Sequence, residues 1–194
     1  MCSDLTSKIG KCLTKNMSNK IYLQANQLYN DSFALAKQIY DSGFVPDALI
    51  ALWRGGSPVG IAVHEFFLYK GIKFYHTIVK TVSYTGINES KEPVVENLDY
   101  VLKNISMDSK VLIVDDIFDT GSTARVMKEK LAPTGCELRF AMPYFKPARN
   151  TTDFGPDYFV KKVNEWLVFP HELCGLSPEE IKQKDLFVAE QLGI

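Results

Sequence analysis

The sequence predicts one α/β domain with a central parallel sheet flanked by helices. Three observations carry this prediction. ALIALW at 48–53 and VLIV at 111–114 are short all-apolar runs, as expected of strands covered on both faces. Each run passes through a Gly-containing turn into a helical pattern, the strand–turn–helix order of a parallel sheet closed by right-handed crossovers. At 194 residues and 46% hydrophobic, the chain is long enough for one well-buried domain and too short for two ordinary ones.

The first sixteen residues carry Lys8, Lys11 and Lys15 but no apolar stretch of signal-peptide length. Positions 1–18 are therefore read as a loose N-terminal extension ahead of one domain over 19–194. From 21 to 40 apolar residues recur at Ile21, Ala25, Leu28, Leu35 and Ile39, a helical stripe that ends at Gly43. After the strand at 48–53, Ser57 can cap a helix with Pro58 at its first position, running to Tyr69 and closed by Gly71. A strand is expected at 73–82, and a polar, aperiodic loop at 85–92. A short helix should follow near 96–103, then the buried strand at 111–114 and a helix at 122–131. Further strands are expected at 138–144 and 158–163. Ser177-Pro178-Glu179-Glu180 is a capping box that opens a C-terminal helix.

The composition excludes several function classes. The formal net charge is −1 with acids and bases interspersed, so neither nucleic acid nor an anionic membrane surface is expected as a partner. No stretch approaches a membrane-spanning length. The four cysteines, Cys2, Cys12, Cys136 and Cys174, form no CxxC pair and have no His at metal-ligand spacing, so the expected setting is a reducing cytoplasm.

The chemistry concentrates at 111–123, VLIVDDIFDTGST. Ligands of parallel α/β sheets bind beyond the carboxyl ends of the strands, where this run delivers Asp115 and Asp116, then Asp119. Thr120-Gly121-Ser122-Thr123 leads into a helix, so backbone N–H groups and three hydroxyls together suit a phosphomonoester. The adjacent carboxylates can accept hydrogen bonds from a vicinal diol or hold Mg²⁺. Carboxylates and a phosphate dianion repel, so they must serve different ends of one ligand; a 5-phosphoribose has that layout. There is no GxxxxGK[ST], the acids do not fit an EF-hand, and Asp153-Phe154-Gly155 lacks the other kinase motifs.

This string resembles the phosphoribosyl diphosphate (PRPP) signature of type I phosphoribosyltransferases over all thirteen residues. The resemblance implies that Thr120, Gly121, Ser122 and Thr123 hold the 5′-phosphate. Asp115 and Asp116 would take the ribose hydroxyls, directly or through Mg²⁺, with Asp116 the metal contact. Asp119 would be the general base near N7 of a purine. Arg54, Gly55 and Gly56 resemble the family's pyrophosphate loop, which in many members has a non-proline cis peptide, here Trp53–Arg54. Ser83-Tyr84 resembles the Ser-Tyr pair of a loop that closes over the reacting sugar and excludes water.

The region from Tyr144 to Glu172 resembles the base-recognition hood of hypoxanthine-guanine and xanthine-guanine enzymes, placed largely at 144–176. By that resemblance Lys146 donates to the purine O6; an ammonium has no acceptor, so it takes a 6-oxo group and rejects the 6-amino group of adenine. Trp166 would stack on the purine, the Leu167 backbone would read its edge, and Glu172 would lie near its 2-position. His171-Glu172-Leu173 departs from the usual family sequence and leaves hypoxanthine, guanine and xanthine open. The implied reaction is Mg²⁺-dependent transfer of 5-phosphoribosyl from PRPP to a 6-oxopurine in purine salvage, by a homo-oligomer. The alternatives are an adenine- or pyrimidine-specific transferase, or a non-catalytic PRPP-binding regulator.

Overall fold

The computed structural model describes residues 20–82, 85–86, 89–90 and 93–194. The proposed extension at 1–18, Ser83 and Tyr84 lie outside the described residues. In chain order the elements are β1 (Lys20–Tyr22), α1 (Ala25–Asp41), β2 (Ala48–Trp53), α2 (Gly56–Tyr69) and β3 (Tyr75–Val82). There follow β4 (Thr85–Gly86), β5 (Glu89–Ser90), β6 (Val94–Glu96), α3 (Leu98–Leu102), β7 (Lys110–Val114), β8 (Ile117–Phe118) and α4 (Ser122–Leu131). The chain continues through β9 (Glu137–Ala141), β10 (Tyr144–Phe145), β11 (Lys161–Lys162), β12 (Trp166–Val168), α5 (Pro178–Lys184) and α6 (Leu186–Gln191). It divides into two compact units: Gln24–Asn164, and a smaller one that joins 20–23 to Glu165–Ile194.

The larger unit is built on a five-stranded sheet of order β6-β3-β2-β7-β9. β3, β2, β7 and β9 are parallel, and only the edge strand β6 runs antiparallel. β2 and β7 sit in the middle and are apolar on both faces, as their sequences require. Ala48, Ile50, Leu52, Val111 and Ile113 pack with Val101 of α3 and with Ala124, Met127 and Leu131 of α4. On the opposite face α2 comes so close that a Cβ on Gly60 would lie 2.7 Å from the Ala51 methyl. A second, three-stranded parallel sheet, β11-β10-β8, stands beyond the end of β7.

Several boundaries differ from the sequence expectation, each for a local reason. Ile21 does not open α1. It lies on β1, which pairs in parallel with β12 in the smaller unit, so a partner far along the chain overrides the helical period. The helix starts at Ala25, after Gln24 as N-cap. Ser57 is not the cap of α2 either: the helix begins at Gly56 with Gly55 as N-cap, because this turn is drawn tight against β7. The single strand expected at 138–144 is two strands, β9 and β10. Pro143 lies between them, has no N–H for a ladder, and marks where the chain leaves one sheet for the other. Of 158–163 only β11 is a strand, with Tyr158 making an isolated bridge to Ala141. In the loop expected at 85–92, β4 and β5 pair antiparallel.

A buried polar network ties α1 to β10 and β11. Asp31 lies on the apolar stripe of α1 and is 6% exposed. Its carboxylate accepts from Tyr144 Oη at 2.5 Å, from Lys161 Nζ at 2.8 and 2.9 Å, and from Gln27 Nε2 at 2.9 Å. Burial alone would raise the Asp31 pKa, but the bonds from Lys161, Tyr144 and Gln27 outweigh it and hold the carboxyl below its ordinary value of 3.8. For a depressed carboxyl, stability is present above the unfolded value and is lost as pH falls through the folded one. Asp31→Asn is therefore expected to lower stability at neutral pH by about 1–3 kcal/mol, since it leaves buried donors without their anion. It should also flatten the acid-side loss of stability below about pH 4. Urea unfolding of both proteins across that range checks the two effects.

Candidate active site

Two adjacent strands of the larger unit end at one edge of the sheet. In the β2–β7 register Ala51 faces Val114, so the turn after Trp53 and the acids after Val114 emerge side by side. The Trp53–Arg54 peptide is cis, and Arg54 beyond it is exposed. Gly55 and Gly56 are required by proximity rather than by unusual dihedrals. Gly55 is right-handed, φ −59°, yet a Cβ there would lie 2.3 Å from the Asp116 carboxylate. A Cβ on Gly56 would lie 2.3 Å from the Val114 carbonyl oxygen. The candidate diphosphate turn and the candidate ribose acids thus form one packed body.

Within it, Asp115 Oδ1 accepts the Asp116 N–H at 3.0 Å, and the Gly56 N–H also donates to this carboxylate. Burial first, and the charge of Asp116 second, push the Asp115 carboxyl well above the ordinary range against those two donors. Diol hydroxyls or a hard cation placed here would favour the ionised form of the pair. Among the described residues no three His, Cys, Asp or Glu side chains converge as a metal cage. The donor set still fits Mg²⁺ in the way that ion is commonly held, by one or two carboxylates with substrate oxygens and water completing the shell.

One turn later the chain makes an anion cradle. Gly121 adopts φ +80° and is the N-cap of the ten-residue α4, with no side chain of its own to cap it, while Thr120 Oγ1 accepts the Ser122 N–H at 3.4 Å. The first-turn N–H groups stand at the positive end of the helix. Thr120 Oγ1 and Ser122 Oγ lie 3.0 Å apart beside them, with Thr123 next in the helix. The Thr151 N–H and Oγ1 both donate to the Thr120 carbonyl at 3.0 Å, fixing the turn from behind. A Cβ on Gly121 would lie 2.8 Å from both Phe118 Cε1 and Thr152 Cγ2, so this position combines a left-handed φ with no spare room.

Asp119 and Lys146 are neighbours by strand register. β8 pairs in parallel with β10, Phe118 opposite Phe145, and the Lys146 N–H donates to the Phe118 carbonyl at 2.9 Å. Each next residue, Asp119 on one strand and Lys146 on the other, leaves its strand at the same level. Lys146 is buried, and Asp119 Oδ1 forms an ion pair with Arg149 Nε at 3.0 Å. Nothing in the sequence singled out Arg149, which lies on a 3-10 turn directly after Lys146. Asp31 was missed as well, although a carboxylate standing on the apolar stripe of α1 is a signal that could have found it.

The remaining candidates are in the smaller unit. Trp166, Leu167 and Val168 form β12, with Trp166 half exposed and Leu167 buried. Glu172 Oε2 accepts the Phe169 N–H at 3.0 Å, so this carboxylate shapes its own turn.

A family model for the phosphoribosyl transferase domain matches residues 18–176. The chain belongs to that family. This phosphoribosyltransferase is 30% identical over 149 residues to a xanthine-guanine phosphoribosyltransferase of Desulfotalea psychrophila, covering 75% of this chain and 81% of the relative. A xanthine-guanine phosphoribosyltransferase of Nitratidesulfovibrio vulgaris is 29% identical over 148 residues, covering 74% and 79%. The crystal structure of a purine phosphoribosyltransferase from Pyrococcus horikoshii superposes with a TM-score of 0.63 at 28% identity, over 81% of this chain and 97% of that one. No helix among the described residues is long and apolar enough to cross a membrane.

The tight Gly55–Asp116 approach gives a direct test. Gly55→Ala keeps an allowed backbone and adds only a methyl that must displace the Asp116 carboxylate. It is expected to lower kcat/KM about a hundredfold while moving the thermal midpoint little, because a misplacement near 1 Å suffices for such a loss. Steady-state kinetics beside a thermal melt reads both.

Proposed function

We propose that this phosphoribosyltransferase transfers the 5-phosphoribosyl group of PRPP to N9 of a 6-oxopurine, releasing a nucleoside 5′-monophosphate and pyrophosphate. The observation that carries the proposal is the β8–β10 register, which brings Asp119 and the buried Lys146 off two paired strands at the same level. A carboxylate that accepts the N7 proton, beside an ammonium that can only donate, matches the adjacent N7 and O6 edge of a 6-oxopurine, where O6 is an acceptor. The names of the relatives from Desulfotalea psychrophila, Nitratidesulfovibrio vulgaris and Pyrococcus horikoshii support a purine.

On this reading the cradle of Thr120, Gly121, Ser122 and Thr123 holds the 5′-phosphate, and Asp115 and Asp116 hold the ribose hydroxyls. Arg54, Gly55 and Gly56 hold the diphosphate. The N9 lone pair attacks the anomeric carbon as its bond to the diphosphate oxygen breaks, and Asp119 takes the N7 proton. Asp116 would hold Mg²⁺, which when bound would supply charge neutralisation at the diphosphate. Ser83 and Tyr84 are assigned to closure over the sugar by resemblance. Trp166 stacks on the base, the Leu167 backbone reads its edge, and Glu172 lies near the 2-position. Purine salvage in the cytoplasm by a homo-oligomer completes the reading.

A panel of hypoxanthine, guanine, xanthine and adenine with PRPP and Mg²⁺ tests it. Consumption of PRPP with at least one 6-oxopurine and none with adenine is the expected result. No consumption with any base refutes the assignment. Asp119→Asn should lower kcat by about 10²–10⁴-fold at saturating base, the range of a positioned general base. Near-normal turnover would remove Asp119 from that role.

A further inference from the structure

The segment after β12 is held by a residue that lies beyond the family match, which ends at 176. Phe169-Pro170-His171-Glu172 is a turn closed by the Glu172 N–H to the Phe169 carbonyl at 3.0 Å, with Pro at the position that favours it. Three of its carbonyl oxygens, those of Phe169, Pro170 and Glu172, converge on one point. That point is the ammonium of Lys184, which reaches back from the end of α5 and is 8% exposed. Its Nζ donates to the Phe169 carbonyl at 2.8 Å, to Pro170 at 3.0 Å, and to Glu172. All three donors of the ammonium are thereby used, and three peptide dipoles that would otherwise repel are held together.

The helix that carries Lys184 is anchored from its other end as well. Ser177 and Glu180 form a full capping box, and Glu180 also makes an ion pair with Lys20 on β1. β1 pairs with β12 at Lys20–Trp166, Ile21–Leu167 and Tyr22–Val168. α5 therefore fixes the stretch 166–172 at two points: the strand, through Lys20, and the turn, through Lys184. A surface helix that served only to finish the chain would need neither contact. Desolvation lowers the Lys184 pKa, while Glu172 and Asp185 oppose that shift, in keeping with an ammonium held inside.

We propose that Lys184 is a positioning residue for the purine 2-substituent: it sets the backbone of the turn 169–172 against which a 2-amino or 2-oxo group is selected. The proposal rests on the reading above, in which Leu167 and Glu172 face the purine edge. Its distinctive consequence comes from base chemistry. Guanine carries a 2-amino donor and xanthine a 2-oxo acceptor, whereas hypoxanthine has only C–H at position 2 and makes no polar contact there. A displaced turn should therefore penalise guanine and xanthine and spare hypoxanthine.

The test compares wild type with Lys184→Met and Glu180→Gln. The second variant keeps a Gln-type capping box, leaves the buried ammonium in place and only loosens the tie to Lys20. Constants are read as KM where a base is consumed and as competitive Ki where it is not. Lys184→Met is expected to raise the values for guanine and xanthine about tenfold, with hypoxanthine and PRPP changed less than about twofold and kcat little affected. Glu180→Gln should shift selectivity in the same direction by a smaller factor, and it carries the test alone if Lys184→Met does not fold. An equal rise for all three bases, or no change for any, overturns the proposal and leaves the 6-oxopurine reading standing. Failure of the wild type to consume or bind any 6-oxopurine overturns that reading and this inference with it.

Discussion

The site depends on one steric fact: the turn after β2 touches the end of β7 with no atom to spare. A hydrogen at Gly55 and Gly56 is all that separates that backbone from the Asp116 carboxylate and the Val114 carbonyl. The contact is possible because β2 and β7 are adjacent parallel strands in matched register, each apolar on both faces and locked between helices. The candidate diphosphate turn and the candidate ribose acids are thus not two loops that must find each other; they are one surface fixed by the core. The same closeness packs Asp115 against Asp116, and desolvation with the neighbouring charge pushes its carboxyl upward, a shift that hydroxyls or a cation would oppose.

The second constraint is the small sheet β8–β10–β11. Its parallel register brings Asp119, which follows the β7 strand end at Val114, level with Lys146 from a more distant part of the chain. The Asp31 network anchors the same strands to α1 through Tyr144 and Lys161. Precision at the candidate base and at the candidate O6 donor therefore rests on two-residue strands backed by the buried Asp31 carboxylate, which Tyr144 and the half-exposed Lys161 share. Short ladders alone would hold such groups loosely.

The sequence made the central strands legible because a buried parallel strand has little choice of composition, as ALIALW and VLIV illustrate. The α4 span was readable for a similar reason, since acids, glycine and hydroxyls mark the turn and a periodic apolar face follows. The capping box at Ser177 was legible because its logic is local. Where partners are distant, sequence signals gave out. Ile21 fits a helical stripe until β12 claims it for a strand, and Pro143 divides what looks like one strand. Ser57 looks like a cap until the turn is pulled onto β7. Arg149 and Lys184 carry no local mark at all, because their meaning lies in Asp119 and in three carbonyl oxygens reached only through the fold.

The pairing of β1 with β12 also bears on how the molecule is made. Lys20 and Glu180, joined by an ion pair, lie 160 positions apart, and β1 waits for Trp166–Val168 before it has a ladder partner. During synthesis Gln24–Asn164 emerges first and holds within itself every contact of the five-stranded sheet. The smaller unit cannot close until β12 and α5 have been made, since β1 precedes the larger unit and they follow it. A nascent or C-terminally clipped chain would then possess the turn before α4 and the paired acids without a completed β12. The order of translation makes the candidate site on the larger unit older, within each molecule, than the strand that carries Trp166.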